Sequence, residues 1–149
     1  MLDFDGVLVK FVAPRKKRRP AIADPLCVAA LNSVTDRTHA KIVITSSWRV
    51  GTPLEKLVEC LRKWGVTGEV IGKTPNIVEN CKDRRGKEIL HWLTYDEVLD
   101  GMQVRSFVII DDEADMGLIL ARLVQPCPMT GLTMAEADQA VKILEVPVC

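Results

Sequence analysis

The chain has no long apolar run. No stretch of its 149 residues approaches the ~20 consecutive apolar residues that a membrane-spanning helix requires, so no membrane partner is expected. The pattern of a secretion signal is also absent, because Asp3 and Asp5 interrupt the first apolar stretch and no small-residue cleavage site follows it. These absences favour a cytoplasmic protein.

The chain has no closely spaced cysteines. The five are odd in number and widely spaced, and no two of them form a CxxC pair. This spacing argues against a zinc site and against a disulfide framework. Reduced thiols in a cytoplasmic protein are the simplest interpretation. The positions are Cys27, Cys60, Cys81, Cys127 and Cys149.

The chain has no net charge, but its charges are unevenly spread. Residues 15–19 are an unbroken run of five cations, and without them 15 Lys and Arg face 20 Asp and Glu. Such a run is most often a solvated loop. The alternative is contact with a phosphate-rich polymer, because cations that neutralise phosphates release condensed counterions. Both interpretations stay open, and Arg18 and Arg19 are the candidate substrate-binding residues within the run.

Strand-like and helix-like segments alternate along the whole chain. Strands are predicted in MLDF, KIVIT, GEVIG, SFVII and ARLVQP, and helices in ADPLCVAALNSV, TPLEKLVECLRKWG, RGKEILHWL and TMAEADQAVKIL. This alternation predicts one α/β domain over residues 1–149: a Rossmann-like three-layer α/β/α fold with a mostly parallel five-stranded sheet. The two inserts, residues 8–23 and 73–83, are too short for a large cap domain.

Capping residues mark three of the predicted helix starts. Asp24 is a plausible N-cap, followed by Pro25 at the first helical position. Thr52 and Thr133 each have a glutamate three residues later, which is the spacing of a capping box.

Polar side chains follow three predicted strands and open one helix. Ligands of parallel α/β sheets bind at the carboxyl ends of the strands, so these side chains are expected to meet at one site. The groups are Asp3 and Asp5; Thr45, Ser46, Ser47 and Arg49; Asp111, Asp112 and Asp115; and Arg84, Arg85 and Lys87.

The two acids of the opening MLDFDG need a compensating charge. Asp3 and Asp5 project to the same side of an extended segment, where two like charges are costly unless a cation or a proton is shared. Carboxylates from two strands provide the oxygen ligands that Mg²⁺ prefers. Hydroxyls and a fixed cation suit the oxygens of a phosphoryl group. The constellation therefore favours phosphoryl transfer assisted by Mg²⁺.

Four motifs in order resemble those of the haloacid dehalogenase-like (HAD) superfamily. LDFDGVL resembles its first motif, VITS its second, RGKEIL its third and VIIDDEAD its fourth. The longer segments ITSSWR, RGKEILHWL, FVIIDDEADM and GLTMAEADQA together resemble the HAD domain of Swiss-army-knife RNA repair proteins. The resemblance covers nearly the whole chain, although only Met1 and Leu2 precede the first acid of the first motif.

The resemblance implies catalytic roles for two acids and for the residues that bind phosphate. Asp3 corresponds to the nucleophile, and Asp5 to the general acid and base. Thr45, with Ser46 as second choice, would bind the phosphoryl oxygens. Arg85 is the first choice for the phosphate-binding cation because it directly precedes the glycine of the motif, and Lys87 is the alternate.

The resemblance also implies a magnesium site. Asp111 would ligate Mg²⁺ together with Asp3 and the backbone carbonyl of Asp5. Asp112 and Asp115 would support that site.

The reaction is better indicated than the substrate. We expect a Mg²⁺-dependent phosphatase with an aspartyl-phosphate intermediate, acting on nucleic-acid ends or nucleotides, as in RNA repair. Ser46 and Arg49 are further candidate substrate-binding residues. Trp48 is a candidate for stacking on a base, although packing is the commoner role of an aromatic next to a strand. A small-molecule phosphatase and a non-catalytic module that binds nucleic acid or a partner remain as alternatives, and nothing indicates an oligomeric state.

Overall fold

Helices and short strands alternate in the computed structural model, which describes residues 1–11, 22–77, 82–95 and 103–148. Within these ranges the helices are α1 (Pro25–Thr38), α2 (Leu54–Lys63), α3 (Arg84–Tyr95) and α4 (Met134–Glu145). The strands are β1 (Ile42–Ile44), β2 (Val70–Lys73), β3 (Ile109–Ile110) and β4 (Leu123–Val124). A 3-10 helix, Ser47–Arg49, follows β1, and another, Gly117–Arg122, precedes β4.

The strand pairs of the described ranges are parallel. β1 pairs with β2, and β3 pairs with β4. Leu2 connects the two pairs, since it forms isolated parallel bridges to Ile44 and to Ile110. The predicted α/β class with parallel strands is therefore confirmed. A continuous five-stranded sheet stays a prediction, because the first strand is represented only by these bridges.

Side chains of β3 alternate between two hydrophobic clusters, so helices cover both faces of the strands. Ile110 lies in the larger cluster with buried residues of α1, α2 and α4. Ile109 packs instead with Ile89 of α3 and with Met116. Successive strand side chains point to opposite faces, which explains the two-sided packing.

Two of the three predicted helix starts are confirmed. The carboxylate of Asp24 accepts a hydrogen bond from the Leu26 backbone N–H (2.8 Å), and Pro25 begins α1. The side chains and backbones of Thr133 and Glu136 form the reciprocal capping box at the start of α4.

The capping box predicted at Thr52 is wrong. Helix α2 begins at Leu54, and its N-cap is Pro53, which offers no side-chain acceptor. Thr52 therefore lies one residue before the N-cap, outside the geometry that lets a threonine hydroxyl accept from the first helical turn.

The described helices are too short or too polar to cross a membrane. The longest of them, α1, has 14 residues, whereas a transmembrane helix needs ~20.

Candidate active site

Three parallel backbone segments end side by side at one edge of the strands. The Asp3 backbone N–H donates to the Ile110 carbonyl oxygen (3.0 Å), and the Thr45 N–H donates to the Leu2 carbonyl oxygen (2.9 Å). These bonds hold residues 1–3 between β1 and β3. As a result, the structure places Asp3, Thr45 and Asp111 at the same edge, where ligands of parallel sheets bind.

Asp3, Asp111 and Asp112 form a compact carboxylate cluster. One carboxylate oxygen of each residue lies within 4.8 Å of the others. Burial raises the pKa of Asp111 to about 7, with Arg85 opposing the shift and Asp3 adding to it. Burial, and then the charge of Asp3, also raises the pKa of Asp112. The cluster therefore favours either a proton or a cation among its oxygens.

Gly6 allows the loop after Asp5 to close against this cluster. Its backbone has φ +73°, in the left-handed region, and a Cβ at this position would overlap the carboxyl group of Asp112. A residue other than glycine would meet both a conformational and a steric penalty here.

The carboxylate cluster has the chemistry of a divalent-cation site. Its ligand atoms are all carboxylate oxygens, which suit Mg²⁺. Oδ2 of Asp111 is buried and accepts no hydrogen bond from any residue that the structure describes. A buried acceptor without a partner is costly, and a cation would remove that cost. The three residues therefore fit a magnesium ion, in line with the metal ligands predicted from the sequence.

Arg85 is the cation that the fold brings to these carboxylates. Its Nη1 lies 3.5 Å from Asp111 Oδ2 and 3.9 Å from Asp3 Oδ1, and the same atom donates to the Thr45 carbonyl oxygen. Lys87, the alternate, has an exposed side chain on the same helix. The geometry thus favours Arg85 as the phosphate-binding cation.

Helix α3 holds Arg85 in place by a close approach to the loop after β3. The Arg85 backbone N–H donates to the Asp115 carboxylate (3.2 Å), and the Gly86 N–H donates to the Asp115 carbonyl oxygen (3.0 Å). A Cβ at position 86 would overlap the Met116 carbonyl group, so the approach requires glycine. Asp115 therefore anchors α3 and is not one of the three clustered carboxylates.

Thr45 and Ser46 are both fully buried, but only Thr45 has an unused hydroxyl. Within the described part of the chain, Thr45 Oγ1 has no hydrogen-bond partner. Ser46 Oγ accepts from the Trp48 backbone N–H (3.4 Å) and caps the 3-10 helix Ser47–Arg49. A hydroxyl without a partner, at the same edge of the strands as the carboxylates, can donate to a phosphoryl oxygen, so the geometry favours Thr45.

The side chain of Asp5 lies outside the carboxylate cluster. It is half-buried, and its Oδ2 accepts a hydrogen bond from the indole Nε1 of Trp48 at 2.8 Å. The contact predicted between Asp5 and the metal uses the backbone carbonyl and stays a prediction.

Arg49 is a buried structural residue. It is 4% exposed, and burial lowers the pKa of its guanidinium while Glu88 opposes that shift. All five of its N–H groups are used, which leaves none for a substrate. The substrate-binding role of Arg49 stays a prediction, but it would require at least one of these hydrogen bonds to break. The acceptors are the backbone carbonyls of Thr45 (2.6 Å), Ser46 (3.0 Å), Thr74 (3.0 Å) and Pro75 (3.0 Å) and the carboxylate of Glu88.

The remaining predicted substrate-binding residues, Arg18 and Arg19, lie outside the described residues, as does the whole basic run.

The packing expected as the commoner role of Trp48 is observed, but sequence reasoning missed its hydrogen bond to Asp5 and the role of Glu88. Glu88 is 1% exposed and lies four residues before the buried Trp92, on the same stripe of α3. An acid on an apolar helical stripe indicates a buried partner, and Arg49 is that partner. The hydrogen bond from Trp48 to Asp5 joins residues that are 43 positions apart, and no pattern in the sequence around either residue indicates it.

A family model described as the HAD domain in Swiss Army Knife RNA repair proteins matches residues 1–137. The chain belongs to this family. No curated protein and no solved structure matches it. The matched part of this HAD domain contains the three clustered carboxylates, Thr45 and Arg85. The family suggests a phosphatase-type function in the context of RNA repair.

Proposed function

We propose that this HAD domain is a Mg²⁺-dependent phosphatase that forms an aspartyl-phosphate intermediate and acts on nucleic-acid ends or nucleotides. One observation supports the proposal above all. The clustered carboxylates of Asp3, Asp111 and Asp112 lie beside the guanidinium of Arg85 and the same edge holds the unpartnered hydroxyl of Thr45. The residues proposed as nucleophile, as cation ligands and as phosphate-binding groups thereby lie at one edge of the strands.

In the first half of the proposed reaction, a carboxylate oxygen of Asp3 attacks the phosphorus of a phosphate monoester. The bond between phosphorus and the leaving oxygen breaks, and that oxygen takes a proton from the carboxyl group of Asp5. Arg85 and Thr45 bind the phosphoryl oxygens, where negative charge collects in the transition state.

In the second half, Asp5 is a carboxylate and takes a proton from a water molecule. The water oxygen attacks phosphorus, and the bond between phosphorus and the Asp3 oxygen breaks. Inorganic phosphate leaves, Asp3 is a free carboxylate again, and Asp5 is again protonated.

Asp3, Asp111 and Asp112 are the residues that would hold Mg²⁺, with the backbone carbonyl of Asp5. When bound, the ion neutralises the clustered acids and polarises a phosphate oxygen. Burial of Asp111 makes this compensation large, because the side chain is 0% exposed and its pKa is raised to about 7 despite the neighbouring Arg85.

The proposed substrate is a polynucleotide end. Neither insert of the sequence, residues 8–23 or 73–83, is long enough for a cap domain, so we propose that the site is open to a large substrate. We also propose that residues 1–149 form one HAD-like phosphatase domain with a five-stranded Rossmann-like sheet. The family name refers to RNA repair. The five cations of residues 15–19 would attract a phosphate-rich strand.

We also propose a cytoplasmic location. It is supported by the free thiols of Cys27, Cys60 and Cys127, which are the form expected in a reducing compartment.

The test is phosphate release from a panel of substrates, with Mg²⁺ and with excess EDTA. The panel contains RNA and DNA with 5′- or 3′-phosphates, nucleotides, sugar phosphates and p-nitrophenyl phosphate. We expect Mg²⁺-dependent release from phosphorylated ends, loss of at least ~10³-fold in the Asp3→Asn variant, and no loss in Glu59→Gln, which changes an exposed carboxylate of α2.

Two results would contradict the proposal. If folded wild-type protein released no phosphate from any substrate, the alternative of a non-catalytic module would be favoured. A preference for sugar phosphates over polynucleotide ends would instead identify a small-molecule phosphatase.

A further inference from the structure

The indole of Trp48 is hydrogen-bonded to the carboxyl group assigned as the proton donor. Trp48 belongs to the 3-10 helix Ser47–Arg49, directly after the buried Thr45 and Ser46. Its Nε1 donates to Asp5 Oδ2 at 2.8 Å. The loop after β1 therefore contacts the loop after Asp3 through a specific polar bond.

The ring of Trp48 packs against two other aromatic rings. It meets the rings of Phe4 and Trp64 edge to face, with centroids 5.6 Å away in both cases. Phe4 is fully buried between the two catalytic acids in sequence and also packs on Trp64. Edge-to-face contacts of this kind stabilise one ring orientation, so the indole N–H is held towards Asp5.

An indole nitrogen is only a donor, and this limits where the proton of Asp5 can lie. The N–H of Trp48 needs an acceptor oxygen, whether Asp5 is a carboxylate or a neutral acid. Oδ2 is that acceptor. In the neutral acid the carbonyl oxygen is a better acceptor than the hydroxyl oxygen, so the bond from Trp48 to Oδ2 favours the transferable proton on Oδ1.

We propose that Trp48 is a positioning residue for proton transfer by Asp5, which rests on the phosphatase function proposed above. It holds the carboxyl group in one orientation and leaves Oδ1 as the atom that gives a proton to the leaving oxygen. In the second half-reaction Oδ1 takes the proton from water. Trp48 touches neither the phosphoryl group nor the leaving group, and it acts only through Asp5.

The hydrogen bond itself is tested by NMR, without any assay of activity. The protein has three tryptophans, so an ¹H–¹⁵N spectrum contains three indole signals. The Trp48 signal is the one that disappears in Trp48→Phe. We expect Asp5→Ala to shift the Trp48 signal upfield and to leave that of Trp92, which lies in α3, in place. A Trp48 signal unmoved by Asp5→Ala would overturn the inference.

The positioning role is tested with three substrates that separate leaving group from base. p-Nitrophenyl phosphate has a leaving group that needs no proton. Ribose 5-phosphate has an alkoxide leaving group but no base, and adenosine 5′-phosphate has both. We expect Trp48→Phe to lower kcat/KM about 10-fold for ribose 5-phosphate and adenosine 5′-phosphate, the effect of one charge-assisted hydrogen bond. It should leave p-nitrophenyl phosphate unchanged.

Trp64→Phe is the matched control, because Trp64 contacts the same ring but makes no polar contact to Asp5 in the described structure. It should leave all three values of kcat/KM unchanged. If Trp48→Phe lowered kcat/KM only for adenosine 5′-phosphate, and did so by raising KM, Trp48 would stack on the base and the inference would be overturned. The inference would also be overturned if Trp48→Phe, like Trp64→Phe, left all three values of kcat/KM unchanged. Wild-type protein that hydrolyses none of the substrates would refute the phosphatase function, and the NMR experiment would still report on the bond.

Discussion

At the scale of single residues, Asp111 shows most clearly how the site opposes the stability of the fold. Burial raises the pKa of its carboxyl group from 3.8 to about 7, so the folded chain favours the neutral acid. The stability that this group contributes is fully present below about pH 4 and is lost as the pH rises through about 7. Above that pH, the metal-free protein contains a buried charge.

Asp111→Asn should therefore stabilise the metal-free protein at high pH. We expect its free energy of unfolding at pH 8 to exceed that of wild type by on the order of 2 kcal/mol, since one pKa unit corresponds to about 1.4 kcal/mol. At pH 4 the difference should be small. Urea unfolding in EDTA at both pH values measures this, with Glu59→Gln as an exposed control. A variant less stable than wild type at pH 8 would contradict the assignment of a buried charge that Arg85 compensates only in part.

Residue types alone did not separate the arginines of the site. Arg49 follows the second motif and Arg85 opens the third, and the sequence predicted a ligand-binding role for each. Arg85 reaches the carboxylates, whereas Arg49 is saturated by backbone carbonyls and by Glu88. The acceptors of Arg49 come from three separate segments, so the difference exists only in the folded chain.

At the scale of elements, the pair of Arg49 and Glu88 joins the loop after β1 to α3. Both side chains are almost fully buried, and Glu88 also accepts from the Ile77 backbone N–H (3.0 Å). Removing one member leaves the other charge buried, which typically costs 3–5 kcal/mol. This pair therefore connects the loop that carries Thr45 to the helix that carries Arg85.

Arg49→Met should destabilise the protein by about 3 kcal/mol, and the double variant Arg49→Met with Glu88→Met should recover at least half of that loss. Urea unfolding of the single and double variants measures both. Arg84→Met is the matched control, because Arg84 is half-exposed and lies 3.8 Å from the same carboxylate. If Arg49→Met raised KM without loss of stability, Arg49 would be a substrate-binding residue after all.

Gly86 sets how closely α3 approaches the loop after β3. Alanine normally stabilises a helix relative to glycine, but a Cβ here would overlap the Met116 carbonyl group. We expect Gly86→Ala to lower the free energy of unfolding by about 1–3 kcal/mol and to reduce kcat by displacing Arg85. Thr94→Ala, at an exposed position of the same helix, should leave both nearly unchanged. If Gly86→Ala were more stable than wild type and fully active, α3 and the loop after β3 would not be in close contact at this position.

Elements with a local signal could be predicted from the sequence, and those set by contacts between distant segments could not. The capping box of Thr133 needs only residues within one turn, and it is present. The box at Thr52 failed because Pro53 takes the N-cap position. The first strand was predicted from MLDF, but in the structure this segment pairs with its neighbours only through the isolated bridges of Leu2.

At the scale of the whole molecule, charge separates a polynucleotide substrate from a small one. The chain has 20 cations and 20 acids, and five of the cations are the unbroken run of residues 15–19. Counterion release on single strands scales as roughly 0.7 per phosphate contacted, so the proposed binding of a polynucleotide through this run would be salt-dependent.

Replacing residues 15–19 by Gln should raise KM for a phosphorylated oligonucleotide by at least ~10-fold and weaken its salt dependence. Hydrolysis of p-nitrophenyl phosphate should not change. The control replaces five exposed lysines by Gln and should leave both substrates nearly unaffected. Equal losses with both five-site variants would show that only the overall charge matters. The control positions are Lys41, Lys56, Lys63, Lys82 and Lys142.

The meeting of the strand ends could be predicted for the whole molecule, because parallel strands present their carboxyl ends at one edge. Asp3, Asp111 and Asp112 come together as this rule requires, although more than 100 residues separate the first from the others. The partner of Asp5 and the burial of Glu88 depend on side-chain packing, which no strand pattern specifies.

The most direct test of the account is calorimetric titration of Mg²⁺ into the folded wild-type chain and into Asp111→Asn. Three carboxylates within 4.8 Å of one another predict one Mg²⁺ bound per wild-type chain, and binding at least ~10-fold weaker in the variant. Folded wild-type protein that takes up no Mg²⁺, or an Asp111→Asn variant that binds it as wild type does, would contradict the claim that these distant acids form one metal site.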